Sequence, residues 1–90
     1  MKLIFDIETD DLDATKVWCI VAKELDGKSY RFTPDEIEDG IKLLQDADTL
    51  IGHNIIGFDL PVLGNLYNFK YKGEIIDTLV MSRLYNPVRE

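Results

Sequence analysis

Strand and helix signals follow one another along this chain in an order that few folds accept. Three strand-like segments come first, and then helix and strand alternate. Lys2-Leu3-Ile4-Phe5-Asp6-Ile7 is a short, nearly continuous apolar run of the kind expected of a strand buried on both faces. Lys16 to Lys23 is rich in β-branched and aromatic residues. Asp26-Gly27 is a hairpin signal, and Ser29-Tyr30-Arg31-Phe32-Thr33 alternates beyond it. Asp10-Asp11-Leu12-Asp13 reads as a solvated loop between the first two strands.

Thr33-Pro34-Asp35-Glu36 has the capping residue, first-turn proline and back-reaching glutamate of a helix start. Ile37, Ile41, Leu43 and Leu44 then form a stripe at helical spacing that ends near Asp46. Thr49-Leu50-Ile51-Gly52 reads as a fourth strand. Phe58 to Tyr67 reads as a helix with Pro61 in its first turn. Glu74-Ile75-Ile76 is a fifth strand, with Asp77 as the N-cap of a helix over Thr78 to Leu84 that Asn86-Pro87 stops. An antiparallel meander followed by right-handed parallel crossovers satisfies this order. The expected fold class is therefore α/β, a mixed sheet of three antiparallel strands followed by parallel ones. With 90 residues the chain has room for one small domain.

Composition narrows the partners. No apolar run approaches the ~20 residues that a membrane helix needs, and the start meets Asp6 too soon for a signal peptide. Cys19 is the only cysteine, which excludes an intramolecular disulfide and a cysteine-rich zinc site. A cytoplasmic location is expected. The formal net charge of -7 argues against simple phosphate binding. A metal-dependent phosphoryl-transfer site escapes that argument, because clustered carboxylates bind cations that invert the local field.

The position of the acids thus becomes the question. Acid-x-acid pairs are common in a chain with 17 acids, and chance supplies roughly three. Asp6/Glu8 differs from the pairs in turns and helices because it grows out of an apolar strand. Residues i and i+2 of a strand share a face, and charges leaving a buried segment are costly unless compensated. The second cluster is Gly52-His53-Asn54-Ile55-Ile56-Gly57-Phe58-Asp59. Its simplest reading is a strand end, a glycine-flanked loop and a helix capped by Asp59 or a neighbour. Its position also lies beyond the carboxyl ends of parallel strands, where ligands gather in such sheets. Mg²⁺ takes oxygen ligands, and Asp6, Glu8 and Asp59 could supply them. Trp18, Tyr30, Phe32 and Phe69 read as core or surface packing and not as base-stacking platforms.

Asp6-Ile7-Glu8-Thr9 resembles the first motif of the DnaQ-like (DEDD) 3′-5′ exonucleases, and His53 to Asp59 resembles the second. Ile76-Asp77-Thr78-Leu79-Val80-Met81-Ser82-Arg83-Leu84 is similar to the segment that follows in the proofreading domain of family A DNA polymerases, especially those of bacteriophages. The resemblance implies a ribonuclease H-like fold and a 3′-5′ exonuclease that hydrolyses 3′-terminal phosphodiesters of single-stranded DNA with two Mg²⁺ or Mn²⁺ ions. Asp6, Glu8 and Asp59 would be the catalytic metal ligands. Thr9, Leu12 and Asn54 would contact the terminal nucleotide, with Asp77, His53 and Phe58 in supporting positions and His53 hydrogen-bonded at the strand end.

The family's third motif, Tyr-x-x-x-Asp or His-x-x-x-x-Asp, is absent. Four residues beyond Tyr30, Tyr67, Tyr71 and Tyr85 stand Pro34, Tyr71, Ile75 and Arg89, and five beyond His53 stands Phe58. Residues 1–90 are thus expected to be a partial exonuclease domain, truncated on its C-terminal side and weak or inactive alone. An uncovered apolar sheet face would then receive the remainder of a family A polymerase or a second copy of the chain. The alternative is a non-catalytic remnant or regulatory module that binds protein or nucleic acid.

Overall fold

The computed structural model describes residues 1–10 and 16–85, with the side chains of 83–85 excepted. Leu12 and the Asn86-Pro87 stop signal lie outside the described residues. Strands β1 (Lys2–Thr9), β2 (Val17–Glu24) and β3 (Ser29–Phe32) are followed by α1 (Ile37–Asp46), β4 (Thr49–Gly52), α2 (Leu60–Tyr67), β5 (Glu74–Asp77) and α3 (Thr78–Tyr85). They form one five-stranded sheet in the order β3-β2-β1-β4-β5. β1, β2 and β3 pair antiparallel, while β1 with β4 and β4 with β5 pair parallel. This is the mixed sheet expected from the order of signals, and it is compatible with the ribonuclease H-like fold that the motif resemblance implies.

Local chemistry explains the element ends. In the β2–β3 hairpin the Gly27 amide donates to Glu24 O at 2.9 Å and the Glu24 amide to Lys28 O at 2.8 Å. Asp26 adds a bond from the Lys28 amide to its own carboxylate. Thr33 and Glu36 make the expected reciprocal contact, the Thr33 amide and hydroxyl donating to the Glu36 carboxylate at 3.2 and 3.1 Å and the Glu36 amide donating back to Thr33 O at 2.8 Å. The first turn, Pro34–Glu36, is a tighter 3-10 turn, so α1 proper begins at Ile37.

β1 corrects one expectation. It is buried on one face only, with Leu3, Phe5 and Ile7 inside and Lys2, Ile4, Asp6 and Glu8 exposed. A strand alternates its side chains, and among the described residues the core side chains of α1 and α2 join those of one face. The covered face joins Leu3, Phe5 and Ile7 to Ile20, Ala22 and Leu50 of the sheet, Ile37 and Leu44 of α1, and Val62 and Leu63 of α2. On the other face Ile4 is 43% and Val21 40% exposed. Phe69 is buried and Tyr30 and Phe32 are half-buried, as packing residues should be. Trp18 is 47% exposed, at the surface and not in the core.

Candidate functional site

β1 outruns its parallel neighbour. Its pairing with β4 covers only Lys2 to Ile4, so the β4-side edge of β1 beyond that point has no strand partner. β4 turns away at Gly52, where the chain runs close to β1. A Cβ at Gly52 would stand 2.9 Å from the Phe5 carbonyl oxygen and 2.4 Å from Ile55 Cγ2. The strand position therefore admits glycine alone.

The released chain winds into a π turn, Ile55–Asp59, before α2. Pro61 supplies a reason: it has no N–H to give Gly57, and the Leu60 amide reaches Ile55 O, five residues back. The turn swings the Asp59 side chain toward β1. Asp59 occupies the N-cap position of α2 but makes no cap bond with its side chain. Its Oδ2 instead accepts the Ile7 amide at 3.1 Å. The capping expectation for Asp59 is thus corrected: the carboxylate satisfies the orphaned edge of β1, between Asp6 and Glu8.

Asp59 is 3% exposed. Burial raises its pKa to about 6, the neighbouring Asp6 charge and the more distant Asp77 add to the rise, and the Ile7 amide opposes it. Glu8 lies on the same exposed face as Asp6. The Cys19 thiol is 3.7 Å from Glu8 Oε2, and it is held above its ordinary range by burial first and then by the Glu8 charge. Among the described residues no three His, Cys, Asp or Glu side chains converge as a ready-made metal cage. The structure therefore brings Asp6 and Asp59 together at one strand edge and leaves Glu8 beside them, facing solvent.

Asp77 ends β5 in register with Gly52. Its Oδ1 accepts the amides of Asn54 (2.8 Å) and Leu79 (2.9 Å), and its Oδ2 that of Ile56 (2.9 Å). Burial would raise its pKa, but the amides of Ile56, Asn54, Leu79 and Val80 outweigh it and hold the carboxyl below the usual range. Asp77 thus caps α3 as expected. It also ties down the loop that carries Asn54 and Asp59, which the sequence did not reveal. The parallel register opposite Gly52 was the available signal.

The other predicted residues take definite places. Asn54 adopts the left-handed region, φ 59°, and a Cβ at Gly57 would stand 2.5 Å from its Oδ1; the amide side chain lies over that glycine. His53 Nδ1 is 3.0 Å from Thr78 Oγ1, whose hydroxyl donates to Gly52 O at 3.4 Å. That is the hydrogen-bonding position expected for His53. Phe58 is half-buried against the core, and Thr9 closes β1.

No protein-family model matches the chain, and no curated protein matches it. Among solved structures it is similar to the family B DNA polymerase from the hyperthermophilic archaeon Pyrobaculum calidifontis, with 27% identity and a TM-score of 0.56 over 74% of this chain. The aligned part is 11% of that polymerase, so the chain spans about a tenth of its length. The fold is thus one that occurs within a DNA polymerase. This neighbour belongs to family B, whereas the sequence motifs resemble family A. No helix among the described residues is long and apolar enough to cross a membrane.

Proposed function

We propose that the chain is a 3′-5′ exonuclease module of a DNA polymerase, of the DEDD type, with Asp6, Glu8 and Asp59 as its metal-site acids. One observation carries the reading: the buried Asp59 carboxylate is hydrogen-bonded to the backbone amide that lies between Asp6 and Glu8. Residues 52 apart in sequence are thereby joined at a strand edge. A buried carboxylate beside a second acid raises the energy of the pair, and a divalent cation offsets it. All three donors are hard oxygens, which suit Mg²⁺ or Mn²⁺.

Such ions, when bound, would activate a water molecule and stabilise a leaving 3′ oxygen. The chain's own part is positional. The Ile7 amide fixes Asp59, Asp77 fixes the loop behind it, and the strand holds Asp6 and Glu8 on one face. Within this reading Thr9 and Asn54 would contact the terminal nucleotide of a single-stranded DNA end, a role the resemblance also gives Leu12, and the partner is the rest of a polymerase. The fraction of the archaeal enzyme that the chain covers supports a modular role of this kind. The motif resemblance favours a bacteriophage-type family A polymerase.

The non-catalytic reading is favoured by the open arrangement around Glu8, where no three His, Cys, Asp or Glu side chains converge among the described residues. A degradation assay separates the two. Single-stranded DNA labelled at its 5′ end, incubated with Mn²⁺, is expected to shorten slowly from the 3′ end, with at least a tenfold loss of rate in Asp59→Asn. That factor corresponds to about 1.4 kcal/mol of lost transition-state stabilisation. Wild-type protein that leaves the strand intact and also binds no Mn²⁺ would select the binding module.

A further inference from the structure

Trp18 sits where a β-bulge places it. The β1–β2 register runs Ile7 with Ile20 and Glu8 with Cys19, then jumps to Thr9 with Val17. Trp18 is the extra residue, so Trp18 and Cys19 together oppose Glu8. Bulges re-aim a side chain that regular alternation would send elsewhere. Val17 on one side is fully buried and Cys19 on the other is 5% exposed, while the indole between them is 47% exposed. The largest aromatic surface in the chain is thus held in water on the strand beside the candidate acids.

A cation accompanies it. Lys16 Nζ lies over the Trp18 ring, 4.9 Å from its centroid. The Lys16 backbone is anchored in turn, its carbonyl accepting the Asp10 amide and its own amide donating to Asp10 Oδ1, each at 3.2 Å. Arg31 lies on β3 in register with Val21, on the same flank. In a chain of net charge -7, this corner pairs an aromatic face with one cation over the ring and a second on the next strand, whose charge reaches Cys19. Unpaired nucleobases are bound by that combination, the ring stacking on the base and the cations meeting its phosphates. A buried role is excluded by the exposure, and a hairpin of this kind needs no tryptophan at its bulge to pair.

We propose that Trp18, with Lys16 over its ring and Arg31 on the neighbouring strand, is a stacking platform for an unpaired base of a single-stranded nucleic acid led toward Asp6, Glu8 and Asp59. The proposal rests on the nuclease reading for its direction, but it requires no metal. Trp18 is the chain's only tryptophan, so its fluorescence reports the contact directly.

The test titrates the 90-residue protein in EDTA with a short oligothymidylate, its oligouridylate counterpart and a blunt duplex. Trp18 emission and the anisotropy of labelled oligonucleotide are both followed. Stacking predicts quenching by the single strands and not by the duplex, and the two single strands show whether deoxyribose is preferred. Trp18→Ala should weaken single-strand binding at least fivefold, the lower end of what loss of a base–aromatic stack is worth, about 1 kcal/mol. Trp18→Phe should retain most of the affinity, and circular dichroism should show all three proteins equally folded. Equal affinity of Trp18→Ala and wild type, or an emission unchanged by saturating single strand, overturns the platform. Neither result touches the acid site, which is read separately by Mn²⁺ binding. Loss of Mn²⁺ binding with quenching intact would instead remove the nuclease reading and leave the platform standing.

Discussion

Asp59 is the residue whose environment departs furthest from water, and its pH behaviour follows from that. Its folded-state pKa of about 6 lies above the ordinary 3.8. Between those values the folded protein binds more protons than the unfolded chain, so stability contributed by this group falls as pH rises through the window and is level above it. A shift of this size is worth about 3 kcal/mol for a fully desolvated group; partial access of water at the strand end reduces it to about 1–2 kcal/mol. Asp59→Asn keeps an oxygen for the Ile7 amide and removes the charge. Urea unfolding should therefore find Asp59→Asn more stable than wild type by about 1–2 kcal/mol at pH 7 and equal to it near pH 4. A variant less stable at both pH values would show that the carboxylate is held by something other than a cation-shaped need.

At the scale of elements, Asp77 is the joint between β5, α3 and the loop from Gly52 to Asp59. Its two oxygens accept from the amides of Asn54, Ile56 and Leu79. Asp77→Asn presents an NH₂ group to amides that can only donate, so at least one of these bonds is lost. Hydrogen exchange at Asn54 and Ile56 should quicken several-fold, with exchange at β1 and β2 amides little changed. Uniform acceleration across the sheet would mean that Asp77 serves global stability and not the loop. This element also marks where sequence reading stops. The Asp77 cap was legible because an acid before a helical stretch has a local signature. The π turn was not, since Pro61 alone does not say which carbonyl its neighbour's amide will choose. The single-faced burial of β1 was hidden by Ile4, an apolar residue on the open face that made the run look continuous. The bulge at Trp18 was hidden as well, because register depends on pairing and not on either strand alone.

For the whole molecule, topology was readable in part and convergence was only half so. Three strands before the first helix, then alternation, call for an antiparallel meander followed by parallel strands, and the sheet has both; that β4 joins at β1 and not at β3 was not readable from the order of elements. The sheet order puts the carboxyl ends of β1, β4 and β5 side by side, and with them Asp6, Asp59 and Asp77. What no local signal could give is the hydrogen bond from Ile7 to Asp59, because it depends on β1 outrunning β4. The central claim is that this junction is a divalent-cation site. Isothermal titration of Mn²⁺ into wild type, Asp6→Ala and Asp59→Asn at pH 7 tests it most directly. Saturable binding by wild type, with at least tenfold weaker binding in both variants, is the predicted result; equal heats from all three proteins would contradict it.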